Sequence, residues 1–450
     1  MAKVKIFVPY GAVGIGCTDE AFEAGLKMQP DIIASDAGST DSGPYYLGTG
    51  TGKYAIGAIR RDLKRMVLGA HRLGIPMAIG SAGTCGSDMG VDDVFNIIQD
   101  ICAEAGIHKK IARIYSEQDP SLMKAKYLEG KIHALPGAPK IDENTFDSCN
   151  HIVALCGAEP FQAAFREGAD IIIGGRSTDT AIIAFYPLMM GCDPASSWHA
   201  AKVAECGGLC NSGGMEGCSF IEVDETGFNV LSVAEGSTVS PYSVSAHLLY
   251  ENADPVRLTE PGIQIDTTHT TYTPINEQNV RVEGTTIEYL PYTMKLEGSG
   301  SVGYQTISLV GIRDRNIMKD PMAWIHALEN DGIEKLARMG IPKESYHLNF
   351  KPYGYNAVSG QPVKEGYVPE EIGVLLTVTA DTQALATQVA KAFNPYLLHL
   401  CIFPGQSMPS FGFVFSPAEI ERGAIYEFKL YHIVSIDDPL ELVRITFDNV

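Results

Sequence analysis

Asp31-Ile-Ile-Ala-Ser-Asp-Ala-Gly-Ser-Thr-Asp-Ser-Gly43 sets the fold: a short apolar run ends in Asp36, and a loop of small polar residues follows. Unbroken rather than alternating hydrophobicity marks a strand covered on both faces, as in a parallel sheet. The same rhythm recurs around it. Apolar runs occupy residues 4–8, 76–80, 111–115, 151–155 and 171–173. Polar or glycine-rich loops follow at residues 11–16, 81–88, 116–119, 157–160 and 174–179. Helical patterns lie between several runs, at 19–28, 53–73 (stopped by Gly74 and Pro76) and 92–105. Alternating βα units predict an α/β fold with a doubly wound, mostly parallel sheet in the N-terminal half. An α+β region is expected to follow it.

Past residue 220 the pattern changes to short strands between turn signals, at 220–223, 228–232, 279–282, 286–290 and 306–310. From about residue 320 come a helix (322–339), a strand (372–379), a second helix (381–392) and strands to 446. At about 150 residues per domain, 450 residues suggest two or three domains. The expected division is an α/β domain over 1–222, a mainly β region over 223–320 that closes the cleft, and an α+β domain over 321–450.

Composition narrows the function. Hydrophobic residues at 45% and charged residues at 20% are enough for a buried core. With 34 basic and 54 acidic residues the net charge is -20, so nucleic acid and anionic membranes are excluded as general partners. No apolar run reaches the roughly 18 residues of a spanning helix. Met1-Ala-Lys-Val-Lys-Ile-Phe-Val-Pro runs straight into a strand pattern, and ten cysteines in so long a chain fit free thiols in a reducing compartment. A cytoplasmic location is expected, and self-association into a homo-oligomer fits an acidic enzyme better than a nucleic-acid scaffold.

In an open parallel sheet, ligands bind in the crevice outside the carboxyl ends of the strands, which is where the polar loops lie. Gly11-x-x-Gly14-x-Gly16 imitates a dinucleotide fingerprint with its spacing reversed, and Gly48–Tyr54 imitates a phosphate loop that is one residue short, with Tyr54 in place of Ser or Thr. Neither motif qualifies. Arg176 suits a bidentate grip on a carboxylate, or else pairs with Asp179 and ties its own loop. His199, Lys202 and Cys206 share a helix face, with Glu205 adjacent to Lys202, as an acid/base set or an ordinary ion pair. Cys206, Cys210 and Cys218 match no standard zinc spacing. His247 shares a helix face with Tyr250 and Glu251, and Lys295 alternates with Glu297 along a strand, either as a cross-strand ion pair or aimed into a cleft.

Taken together, these residues resemble the acyclic terpene utilisation (AtuA) family. The likeness lies in Asp-Ala-Gly-Ser-Thr-Asp-Ser-Gly-Pro-Tyr-Tyr-Leu at 36–47, and in 80–84, 116–119, 157–161, 175–180, 205–207, 245–252, 291–298, 311–314, 413–417 and 426–434. It is nearest to a subgroup defined by the 36–47 stretch rather than to members that act in terpene breakdown. The resemblance implies a fold and a metabolic role in which acids and CoA esters are handled.

The expected function is a lyase (hydratase or dehydratase) or an isomerase acting on a small organic acid or its CoA thioester. Asp36, Asp41, Glu159 and Asp179 are the candidate acid/base carboxylates, joined by Lys202 and His247. Arg176, Lys202 and Lys295 would hold a carboxylate or a developing oxyanion. Ser39, Thr40, Ser81, Thr84, Ser116 and Ser177 would bind substrate through their hydroxyls. No metal ligand set is announced by spacing, although clustered carboxylates leave room for a divalent cation. The alternative is a non-catalytic accessory or sensor protein that binds an acyl metabolite; an NAD-dependent oxidoreductase would rest on Gly11–Gly16 alone.

Overall fold

The computed structural model describes residues 2–214, 217–249, 252, 254–406 and 411–450. The chain divides into two compact units, Met1–Gly300 with Phe428–Val450, and Ser301–Glu427. Residues 223–300 belong to the first unit, where Gly227–Ser232, Asn279–Glu283 and Thr271–Asn276 add strands to its main sheet.

The strands of the first unit begin with β1 (Val4–Val8), β2 (Ile32–Asp36), β3 (Met77–Gly80) and β4 (Lys110–Tyr115). They continue with β5 (Ile132–Ala134), β6 (His151–Leu155), β7 (Ile171–Gly174), β8 (Ser219–Val223) and β9 (Gly227–Ser232). The centre of the main sheet runs β1-β2-β3-β7-β4, all parallel. Antiparallel strands extend both sides: β8, β9, Asn279–Glu283 and Thr271–Asn276 beyond β1, and Arg444–Asn449 beyond β4. The protein is thus α/β with a parallel centre, and the antiparallel share is larger than the sequence suggested.

Period-two alternation sends neighbouring residues of each strand to opposite faces. Ile6, Ile32, Ala34, Ala78 and Ile172 pack with the helices Ala181–Met189 and Pro194–Ala204. Phe7, Ile33, Met77, Ile79 and Ile173 pack with Asp19–Lys27, Ile56–Leu73 and Asp88–Ala105. Both faces are therefore buried, which explains the unbroken apolar runs.

One expected member of the parallel sheet is absent from it. β6 pairs antiparallel with Lys295–Ser299 in the long strand Thr293–Ile312. An apolar run reports that a strand is buried, not the direction of its partner. The three short strands Arg257–Glu260, Ile263–Asp266 and Thr286–Tyr289 form a separate antiparallel sheet.

In the second unit, Tyr304–Ile312 pairs with Ile372–Ala380, which pairs in turn with Tyr346–Tyr353. The helices Pro321–Arg338 and Gln383–His399 pack on these strands through Trp324, Leu328, Val374, Leu376, Val389 and Phe393. A side chain at Gly332 would meet the Phe393 ring at 2.0 Å, so glycine sets how closely the two helices approach. Among the described residues no helix is long and apolar enough to cross a membrane.

Candidate active site at the strand ends

Loops at the carboxyl ends of β1, β2, β3 and β7 enclose a cavity of about 260 Å³. Gly11, Asp36, Thr84 and Asp179 come from those loops, and Lys53, Tyr54 and Cys206 close it from adjoining segments. Gly11 is required by proximity: a Cβ there would sit 2.8 Å from the Cys206 carbonyl oxygen.

Asp36 is the focus. It ends β2 and is 3% exposed. Its Oδ2 accepts the Gly38 N–H at 2.7 Å, while its buried Oδ1 has no hydrogen-bond partner among the described residues. Burial and the neighbouring Asp179 carboxylate hold its pKa well above the usual carboxylate value, against the opposing pull of Arg176. A buried carboxyl with one oxygen tethered and the other unsatisfied costs stability unless something meets it in the cavity.

The loop after β3 carries backbone strain beside it. Ser81 and Thr84 have φ of 45° and 79°, a region that residues other than glycine rarely enter, β-branched Thr84 least of all. The Lys53 N–H donates to Thr84 Oγ1 at 2.9 Å, and Ser81 N–H donates to the Gly175 carbonyl at 3.0 Å. Gly38, at φ 126°, allows the two loops to meet, since a Cβ there would lie 3.0 Å from the Thr84 methyl. Strain of this kind persists where surrounding contacts over-determine it, and it is concentrated at ligand sites.

Residues 52–423 match the family described as acyclic terpene utilisation family protein AtuA. This chain belongs to that family. No curated protein and no solved structure matches it. The match takes in Lys53, Thr84, Asp179 and Cys206, while Asp36 and its loop lie just ahead of it.

The residues singled out in this AtuA-family chain fall into three groups. Asp36, Ser39, Asp41, Thr84 and Asp179 line the cavity. Asp41 is exposed and accepts the Ser39 hydroxyl at 2.6 Å, and Thr40 is buried beside them. Arg176, Ser81, Ser116 and Ser177 lie behind the cavity, all buried. Arg176 donates from Nε to Glu297 at 3.1 Å and from Nη1 to Ser81 Oγ at 3.0 Å, with Asp179 at 3.8 Å; Ser116 Oγ donates to its carbonyl at 3.0 Å. Its guanidinium therefore ties its own loop to the loop after β3 and to the strand Thr293–Ile312. Burial alone would raise the Glu297 carboxyl, but the Arg176 and Lys295 cations outweigh it and hold its pKa down at about 2. Lys295 bonds Glu297 at 2.8 Å and lies 4.6 Å over the Tyr431 ring.

The third group is a buried cluster at the Cys206 side. Lys202 is ion-paired with Glu205, and Glu260 and Asp179 are close enough to act on them electrostatically. Burial pushes Glu205 up to about 8 and His247 down to about 4. His199, expected on the same face, turns away to hydrogen-bond Thr285 Oγ1 at 2.7 Å. Tyr250 and Glu251 lie outside the described residues. Glu159 stands apart and accepts the Tyr292 hydroxyl at 2.7 Å.

Sequence reasoning missed Lys53 and Tyr54 as site residues. The stretch that contains them was tested as a phosphate loop, and its failure as one hid its role as a cavity wall. Tyr54 has its pKa raised by burial and by Asp36, which places its ring and the carboxyl in one electrostatic environment.

Proposed function

We propose that this protein moves a proton on a small organic acid or the acyl end of its thioester, as a hydro-lyase or isomerase, with Asp36 as the proton carrier. The observation that carries this reading is the buried carboxyl of Asp36, one oxygen of which has no partner among the described residues, in the lining of a cavity that Lys53 also lines. A general base works best when its pKa is raised towards the working pH, and burial supplies that shift. Ionised Asp36 takes the proton from the carbon beside the substrate carbonyl. The electron pair moves onto the carbonyl oxygen, where the Lys53 ammonium offsets the charge. The protonated carboxyl then gives its proton to a departing hydroxyl, which leaves as water, or to another carbon of the chain.

Lys53 takes the carboxylate- or oxyanion-binding role because the Arg176 guanidinium is already committed to Glu297 and Ser81. A cavity of about 260 Å³ admits a short acyl group but not a whole nucleotide carrier, which would stay outside. The family description, acyclic terpene utilisation, supports a metabolic role for the site.

The test is proton exchange. The protein is incubated in D2O with a panel of short hydroxy and enoyl acids and their CoA thioesters, and deuterium at carbon is read by mass spectrometry. At least one compound should exchange, and Asp36→Asn should slow it by about 100-fold or more. Binding without exchange would favour the accessory or sensor role, and exchange that survives Asp36→Asn would remove Asp36 from the mechanism.

A further inference from the structure

We propose that Glu205, Cys206 and His247 form a binding site for one borderline-soft divalent cation, zinc above all, at the wall of the same cavity. Their ligand atoms (a carboxylate oxygen, a thiol sulfur and an imidazole nitrogen) all lie within 4.8 Å of one another. Small rotations bring such a set to the spacing of a tetrahedral site. The inference stands apart from the proton-transfer reading, because the ion would bind whether or not Asp36 carries a proton.

The three ligands come from two elements with fixed ends. Glu205 caps the helix Pro194–Ala204, with Cys206 next to it, and His247 is the last residue of the helix Pro241–His247. The backbone at Cys206 is pinned against β1's loop: a Cβ at Gly11 would meet its carbonyl at 2.8 Å, and one at Gly207, with φ 61°, would meet the Gly11 nitrogen at 2.7 Å. Glu205 and His247 are buried, and Cys206 is half-buried at the cavity surface. A sequence search by cysteine spacing could not find this set, because it uses one cysteine and draws its histidine from about forty residues further along the chain.

Donor chemistry selects the ion. A thiolate disfavours magnesium and calcium, which take oxygen ligands, whereas sulfur, imidazole and carboxylate together suit zinc. Local charge agrees: Glu205, Glu260 and Asp179 bring three carboxylates to this cluster against the single ammonium of Lys202. Lys202 donates to Oε1 of Glu205, so it would orient that ligand as an outer-shell partner. Three protein ligands with one position open to a cavity is the arrangement of a catalytic rather than a structural zinc site.

The experiment uses the full chain, stripped with a chelator and titrated with Zn2+ against a chromophoric competitor, then with Co2+. Uptake of about one ion per chain is expected, with a near-ultraviolet thiolate-to-cobalt band and the visible bands of a four-coordinate ion. Cys206→Ser should abolish the thiolate band. His247→Ala and Glu205→Gln should each weaken binding by more than the roughly 10–100-fold that loss of an outer-shell partner costs. Cys210→Ser, at a buried thiol 3.2 Å from Ser219 Oγ, should change nothing. The melting temperature of each stripped variant, compared with stripped wild type, separates lost ligation from lost folding. Failure of the wild type to take up either ion, or a thiolate band that persists in folded Cys206→Ser, would overturn the site.

Discussion

Replacing Glu297 by Gln should destabilise the first unit sharply, and the size of the effect follows from what surrounds Arg176. Arg176 is 4% exposed and Glu297 2% exposed, with 3.1 Å between guanidinium and carboxylate. Glutamine keeps the shape of the side chain but removes the charge that compensates a guanidinium away from water. Asp179 remains at 3.8 Å, part-exposed and therefore a weaker substitute. Breaking one partner of a buried ion pair typically costs about 3–5 kcal/mol, because the other charge stays behind. At about 2 °C per kcal/mol for a large unit, the melting temperature should fall by roughly 6–10 °C. Arg176→Met combined with Glu297→Leu should cost less than the two single replacements added together, since neither charge is then stranded. Thermal denaturation followed by circular dichroism, on Glu297→Gln and on the four proteins of this cycle, is the assay. A fall below about 1 °C in Glu297→Gln, or strictly additive single effects, would refute the view that Arg176 is an internal tie.

Asp36→Asn should keep its hold on the Gly38 N–H and should not destabilise the protein at neutral pH. The sign is fixed by the raised pKa: a carboxyl raised in the folded state favours folding below its unfolded pKa, and that contribution is lost as pH rises through the folded value. The gain of the Asn variant over wild type should therefore grow from pH 5 to pH 8 in thermal scans, and the acid limb of wild-type activity should lie above the ordinary carboxylate range. His151, bonded to Glu117 at 2.6 Å, should titrate above 6.5 by NMR, and Glu117→Gln should lower that midpoint. The stability from this pair is present at low pH and is lost as pH rises through the folded-state pKa of His151. Gly86→Ala should fold poorly or not at all, as judged by soluble yield and circular dichroism: its φ is 67°, and the added Cβ would fall 2.1 Å from the Arg176 nitrogen.

Local chemistry made much of this legible in advance. The strands at 4–8, 76–80, 111–115 and 171–173, and the helices near 322–339 and 381–392, follow from apolar runs and caps that act over a few residues. Asp36, Thr84 and Asp179 were identifiable as cavity residues because βα connectivity brings parallel strand ends to one edge of a sheet. β6 was assigned to the wrong sheet because burial alone cannot distinguish a parallel neighbour from the antiparallel strand Thr293–Ile312.

The sequence by itself determined the class of fold and the edge of the sheet where polar loops gather, with Asp36 as one of four candidate carboxylates. Only the tertiary structure decided which basic group faces the cavity and which is locked away. Arg176 and Lys53 both read as candidates for binding an anion once their loops are known, but Arg176 meets Glu297, 121 positions along the chain, and is committed to it. The gathering of Glu205, Cys206 and His247 is likewise a contact between helices. Pairings over such separations depend on how elements pack, which residue type and local spacing do not encode.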